Sequence, residues 1–455
     1  MSRVMKDSEV EWIGDIPQKW PLRRMKSCIA SRESGAWGEE PCGDEYDTIC
    51  LRIADFNYEA FRFKDTEESD LTFRHYSPEI IEKLKLQEGD VLIEKSGGGE
   101  KTPVGRSVVF DKPYKALYAN FMERLRCTSS ILPYFLQYVF VTFYKNEYTR
   151  NYIKQTTGIQ NLDLTSMLAK EFLPLPDKRE QFNIIAYLDH RCAEIDRVIA
   201  ATQRTIEEYK KLKQSIITEA VTRGVRGPRK MKDSGVEWIG EIPEEWDIVR
   251  LKFILSSDKV NLRVGPFGSS LSGNDFQPEG YWVYNQRIVL DNNFEDNNTF
   301  ISKSKYEELK SFEVLPGDIL ITTRGSIGKV AIVPTCAPKG VLHPCVIKFR
   351  ISSNIYSEAI LRHIFNETEI AIHQILDMSN STTIEVLYSN ALKNIWLPRI
   401  PKEEWQEIEQ CIERVAVQID SVINKKQQLL TQLESYKKSV IYEYVTGKRE
   451  VPECQ

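Results

Sequence analysis

The sequence lacks several features, and each absence removes a class of function. No apolar run approaches the ~18 residues that a membrane-crossing helix needs, so no helical span is expected. The opening "MSRVMKDSEVEW" is too polar for a signal peptide, and a cytoplasmic protein is expected. The nine cysteines form no C-x-x-C pair, which reads as dispersed, reduced thiols. The five histidines (His75, His190, His343, His363 and His373) form no H-E-x-x-H, so isolated structural or surface histidines and no metal site are expected. Positive charge is not in excess either. The net charge is −5, which counts against a simple nucleic-acid-coating protein.

Catalytic signatures are missing as well. The stretch "IEKSGGGEKTPVGR" (93–106) has three consecutive glycines, but Glu100 stands where a phosphate-binding loop needs glycine, and a strand-like "VGRSVVF" follows instead of a helix. No G-K-[ST], D-P-P-Y or N-P-P-[FY] occurs. "PLPDKRE" (174–180) has the composition of a metal-dependent nuclease site, yet its position before an apolar-periodic run reads as a helix start. The chain is therefore expected to bind and position without catalysing.

What is present is ordinary globular composition, with 41% hydrophobic and 28% charged residues, written out twice. "MKDSEVEWIGDIPQKW" from Met5 returns as "MKDSGVEWIGEIPEEW" from Met231, with twelve of sixteen positions identical. "EGDVLIEK" (88–95) returns as "PGDILITT" (316–323), "EFLPLPDKREQ" (171–181) resembles "IWLPRIPKEEWQ" (395–406), and "SIITEAVTRG" (215–224) returns as "SVIYEYVTGK" (439–448). Between these blocks the halves diverge, notably 27–87 against 253–315. Repeated Trp12/Trp20 and Trp238/Trp246 lie outside the divergent parts and are expected to anchor each domain. Local basic surface is expected at 101–126 and in "TRGVRGPRKMK" (222–232).

Each half ends in a heptad run. Leu188, Cys192, Ile195, Ile199, Thr202, Ile206, Tyr209, Lys213, Ile216 and Ala220 occupy alternating four- and three-residue steps. Ile412, Ala416, Ile419, Ile423, Lys426, Leu430, Leu433, Lys437, Val440 and Tyr444 repeat that spacing. A seam of period 3.5 favours a helix partner, hence an antiparallel coiled coil of 182–222 against 402–446. Each helix would extend about 65 Å at 1.5 Å per residue. Symmetric antiparallel pairing places Lys213 near the Ile419–Asp420 layer and Lys437 near the Ile195–Asp196 layer, where ion pairs contributing only ~0–1 kcal/mol are expected. The expected fold is α+β, with pseudo-two-fold symmetry: mixed α/β domains at 1–177 and 225–401 and long helices at 178–224 and 402–455.

These twin openings, twin "GDVLIEKSGGGEKTPVGR" and "GDILITTRGSIGK" segments, twin helices and the segment "GPFGSSL" (265–271) carry a resemblance. In duplicated order, over essentially its whole length, the chain resembles the specificity (S) subunit of type I restriction–modification systems. The resemblance implies two target-recognition domains, each reading half of a split double-stranded DNA target. It implies methyltransferase (M) subunits and, in the full complex, restriction (R) subunits as partners, and two quasi-identical halves would suit two M subunits. S-adenosylmethionine, ATP and Mg would sit on those partners, with no cofactor on this chain. Both hairpins then read as contact loops on a shared frame. Lys95, Lys101 and Arg106 in the first, and Arg324, Ser326 and Lys329 in the second, have phosphate- or base-reading chemistry. Arg52, Gln286 and Arg287 lie on "LRIADFN" (51–57) and "NQRIVLDN" (285–292), which read as corresponding strands. The alternative is a duplicated scaffold that uses its domains to bind proteins.

Overall fold

The computed structural model describes residues 3–156, 158–258, 261–378 and 386–452. The chain divides into two compact units, 1–204 with 426–455, and 205–425. Each unit holds a mixed α/β portion and a piece of each long helix.

In the first unit an antiparallel four-stranded sheet runs in the order Ser107–Val109, Val91–Glu94, Met122–Cys127, Ile29–Ser34. A second sheet pairs Ala116–Tyr118 parallel to Asp47–Leu51, with Phe73–His75 antiparallel beyond. In the second unit the order Val330–Ile332, Ile319–Thr322, Val346–Phe349, Leu262–Val264 repeats the first sheet. Tyr281–Tyr284 again runs parallel to Gly340–Leu342, with Phe300–Ile301 antiparallel on its other side.

The central strand explains why "VLIE" and "ILIT" are apolar without alternation. Successive strand side chains point to opposite faces, and here both faces are covered. Val91 and Ile93 enter one core with the helix Pro133–Lys145, whereas Leu92 enters another with Val108 and Met122. Ile319 and Ile321 divide from Leu320 in the same way. Full burial of such side chains contributes about 1.5–3 kcal/mol each. The repeated Gly-Asp before each strand closes a turn. Asp90 accepts from the Gln87 amide and Arg126, and Asp318 from the Leu315 amide, Lys348 and Arg350.

The long helices are Lys178–Arg223 and Lys402–Val445. Asp177 caps the first by accepting from the Glu180 amide, and Glu403 and Glu404 favour the positive end of the second. Gly224 and Gly447, both at positive φ, end the runs. At Gly447 a Cβ would lie 2.5 Å from Pro17, so only glycine closes that turn without a shift. Within each unit the helix pieces run antiparallel. The Tyr187 and Tyr444 rings are 4.4 Å apart, and Lys437 meets Asp196 at 2.7 Å. In the second unit Lys213 meets Asp420 at 2.8 Å and Arg226 meets Glu407 at 2.7 Å.

Leu188, Ile195, Ile199, Ile206, Ile412, Ile419, Ile423 and Val440 are buried, while Leu430 and Leu433 are half-buried. Ile216 departs from the expected seam. It is half-exposed, and Ile217 is fully buried beside Val221, Ile242 and Trp246. A straight helix drifts off a strict heptad, and here the final turns pack on the unit's globular core instead of following the seam. Ile441 and Val445 do the same against Trp12, Ile13 and Trp20.

The tryptophans divide three to one. Trp12, Trp20 and Trp246 are buried, with Trp20 Nε1 donating to Glu180 and Trp246 Nε1 to Glu404. Trp238 stacks on His373 and donates to Asp377. The basic stretch 222–232 is not a free cationic surface, because Arg223, Arg226 and Arg229 face Glu241, Glu407 and Glu404. Among the described residues no helix is long and apolar enough to cross a membrane.

Candidate nucleic-acid interface

The glycine-rich stretch is the tip of a hairpin. Strands Val91–Glu94 and Ser107–Val109 pair antiparallel, with Ile93 opposite Ser107. Between them Ser96–Gly97 pairs with Gln160–Asn161, and the Gly99 amide donates to the Thr102 carbonyl. Gly98 sits at φ +60, where a Cβ would approach the Thr102 oxygen to 2.8 Å. The tip therefore requires glycine for its conformation.

The predicted residues divide by what they touch. Lys101 is exposed and makes no side-chain hydrogen bond or ion pair among the described residues. Lys95 donates to the Ser34 hydroxyl at 2.6 Å. Arg106 is committed elsewhere. Its guanidinium donates twice to the buried Glu94 carboxylate, at 2.7 and 2.9 Å, and stacks 3.6 Å from the Tyr58 ring. Burial pushes the Glu94 carboxyl up, and the Arg106 pair opposes that shift. Arg106 thus fixes the base of the hairpin. Arg124 and Arg126 are likewise spent on the Lys85 carbonyl and Asp90, which removes much of the expected basic run at 101–126.

In the second unit Ile319–Thr322 and Val330–Ile332 form the matching hairpin. Its tip is shorter and tightly braced. Thr322 Oγ1 donates to the Ser326 carbonyl at 2.5 Å, and the Gly328 amide donates to the Thr322 carbonyl at 3.0 Å. Arg324 and Ser326 are exposed at this tip, and the Arg324 side chain has no hydrogen-bond or ion-pair partner among the described residues. Lys329 instead donates to the Asn366 carbonyl at 2.7 Å, and burial pushes its pKa down.

The segments 51–57 and 285–292 occupy matching places after corresponding strands but are not strands throughout. Ile53–Asp55 is a 3-10 turn, and Gln286–Asp291 is a short helix capped by the Asn285 side chain. Ile288 and Val289 are adjacent and both buried, a spacing one turn of helix accommodates and a half-exposed strand does not. Gln286 Nε2 donates to the Arg324 carbonyl at 2.5 Å, so it braces the tip. Arg52 bonds through its backbone amide to Asp55, and its side chain lies 3.5 Å from the same carboxylate. Arg287 is exposed and faces Asp291 and Asp296.

Three exposed aromatic residues on these two frames were missed. Arg52, Trp37, Ile53 and Phe121 line a cleft of about 460 Å³, and Trp37 and Phe121 are 41% and 46% exposed. Phe121 is tied to the hairpin, since its carbonyl accepts from the Lys95 amide, as the Cys345 carbonyl accepts from Thr323. Trp37 lies in "SGAWG" and Phe267 in "VGPFG". Gly35 and Gly265 hold these two segments against matching backbone, where a Cβ would meet Ala119 O at 2.3 Å and His343 O at 2.1 Å. Phe267 is 85% exposed. The spacing G-x-[WF]-G was visible in both halves, but it lies inside the divergent blocks and carries no charge to draw attention.

The assembled arrangement is two similar frames. Each presents a hairpin tip, a residue following the second-sheet strand and an exposed aromatic residue. The mix of cation, amide donor and aromatic face suits phosphate, base edge and stacking contacts.

No family model matches the chain. A Methanocaldococcus jannaschii protein provisionally named the type I restriction enzyme MjaX specificity subunit is 25% identical over 446 residues, covering 96% of this chain and 95% of its own. The type I restriction enzyme MjaVIII specificity subunit of the same organism is 24% identical over 314 residues, covering 67% of this chain and 69% of its own. A chain from a solved type I R-M system matches with a TM-score of 0.68 at 13% identity, covering 95% of this chain and 99% of that one, a likeness of fold. In sequence the chain is thus similar to type I restriction enzyme specificity subunits, and in fold to a chain of a solved type I R-M system.

Proposed function

We propose that this chain reads a bipartite double-stranded DNA sequence on behalf of a modification enzyme. Each unit takes one half-site through its hairpin tip and the residues around it. The observation that carries this is a shared frame with unlike tips: "SGGGEKTPVG" in one, "RGSIG" in the other. A scaffold binding one protein twice would keep its contact residues alike, whereas two readers of different sequences must differ there.

The twin sequence blocks and repeated strand orders support an internal tandem duplication with pseudo-two-fold symmetry. The antiparallel pairing within each unit supports one long antiparallel coiled coil that sets the spacing between half-sites. Two quasi-identical surfaces suit two M subunits per chain, with R subunits joining the full complex. The chain itself is non-catalytic in this reading. S-adenosylmethionine, ATP and Mg act on the partners, and the complex works in the cytoplasm.

The test is to express the chain with its cognate methyltransferase and map methylated sites. A split motif with a fixed spacer is expected. Absence of new methylation, together with binding to random DNA equal to binding to genomic DNA across a salt series, overturns the reading. Native mass spectrometry is expected to find two M subunits per chain, and saturation at one counts against the symmetric docking.

A further inference from the structure

The histidines and cysteines give no metal-like spacing in the sequence, yet the fold gathers four possible ligands from two segments. Cys42, Asp44 and Asp47 lie on the loop that leads into Asp47–Leu51, and His75 ends the strand Phe73–His75. Their ligand atoms all lie within 4.8 Å of one another. His75 Nδ1 is 3.2 Å from Cys42 Sγ, 3.3 Å from Asp44 Oδ1 and 3.2 Å from Asp47 Oδ1. Around a tetrahedral zinc ion, with bonds of about 2.0–2.3 Å, neighbouring ligand atoms are separated by roughly 3.4–3.6 Å. The three separations from His75 need to open by only a few tenths of an ångström to admit one, and the remaining pairs lie no farther than 4.8 Å apart.

We propose that Cys42, Asp44, Asp47 and His75 form a site for one divalent, borderline-soft cation, zinc(II) by preference. One sulfur, one imidazole nitrogen and carboxylate oxygens make a donor set that excludes calcium and magnesium, which take oxygen alone. The ligands are partly fixed beforehand. Asp47 accepts from the amides of Cys42 and Gly43 at 3.2 and 2.6 Å, Asp44 accepts from the Tyr46 amide at 2.9 Å, and His75 is held by its backbone bridge to Glu39. As the metal–sulfur bond forms, the Cys42 thiol proton leaves to solvent. The Nε2 atom of His75 keeps the ring's remaining proton.

The ion would fasten the 39–47 loop to the sheet and so steady the neighbouring Trp37, whose ring lies under Arg74. Among the described residues the second unit has no counterpart. Its matching strand pair begins with Tyr281 opposite Ile301, and Tyr281 stacks on Tyr306 instead. The site would therefore belong to one unit only, and it stands independently of the DNA-reading proposal.

The experiment is cobalt(II) titration of the purified full chain, followed by zinc competition. The expected result is one equivalent bound, with the intense visible bands of tetrahedral cobalt and a thiolate-to-cobalt charge-transfer band, both abolished by zinc. Cys42→Ser is expected to lose the charge-transfer band, and His75→Ala to weaken binding more than tenfold. The exposed Asp44→Asn provides a milder variant with little risk to folding, and Cys336→Ser should bind as the original chain does. Far-UV circular dichroism verifies that each variant folds. No visible bands at saturation, the weak spectrum of octahedral surface binding, or a signal unchanged in both Cys42→Ser and Asp44→Asn overturns the site.

Discussion

The two units carry the same instructions with different margins of safety. At the start of each globular portion an arginine, a tryptophan and a glutamate meet: Arg229, Trp246 and Glu404 in one unit, Arg3, Trp20 and Glu180 in the other. The Glu404 side chain is 4% exposed and that of Glu180 23%. The hairpins contrast similarly. One unit spends its arginine at the strand base on Glu94, and the other leaves Arg324 exposed at the tip. Positions that build the frame repeat in chemistry, and positions that project from it do not. The division between residues that build the frame and residues that project from it can therefore be drawn residue by residue.

The largest break in this comparison should come from the glutamates. Glu404→Ala strands the buried Trp246 N–H and leaves Arg229 only its ion pair with Glu245, and should cost about 3 kcal/mol, the low end for removing one partner of a buried ion pair. Glu180→Ala, in a wetter setting, should cost about 1.5–3 kcal/mol, the range for a hydrogen bond to a charged group. Denaturant unfolding of each full-chain variant measures both, and equal losses would show that the two anchors are energetically alike.

A smaller effect should fall on DNA alone. Arg324→Ala is expected to cost about 1–3 kcal/mol and to relax one base of the second half-site, leaving the first half-site untouched. Binding to a panel of half-site variants at two salt concentrations distinguishes this from a phosphate contact. Uniform weakening with a shallower salt slope would make Arg324 a positioning residue, and no change would remove the tip from the interface.

The helix lysines sharpen the comparison at the smallest scale. Lys437 is 8% exposed, donates to both Asp196 oxygens and to the Glu59 carbonyl, and lies 4.7 Å from the Phe61 ring. Lys213 occupies the matching heptad position, but its nearer partner Asp420 has a half-exposed side chain and its second, Glu367, lies 3.7 Å away. Lys437→Met should cost about 1–2 kcal/mol through the polar atoms it strands, and Lys213→Met only ~0–1 kcal/mol, as for exposed pairs. Thermal unfolding of the two variants in low and high salt checks the ranking.

Much of this architecture was legible because it rests on periodicity. Repeated blocks, heptads and the twin hairpins are patterns of spacing, and spacing survives without coordinates. The partners of Arg106 and Lys329 were not legible, for the opposite reason. Both side chains look like free cations until Glu94 and the Asn366 carbonyl are folded beside them. The segment at 285–292 reads as a strand by analogy with its partner, but the Asn285 cap and the adjacent buried Ile288 and Val289 turn it into helix. Ile216 loses its place in the seam because the end of its helix packs on a globular core.

The sequence by itself determined the two long helices, the hairpins and the repeated blocks that precede them, because repetition and hydrophobic period are local properties of a chain. Tertiary structure alone decided which cations are spent and which are exposed, where Trp37 and Phe267 emerge, and that Cys42 meets His75. Each of these depends on residues far apart in the chain becoming neighbours, and on which charges the resulting burial forces into pairs.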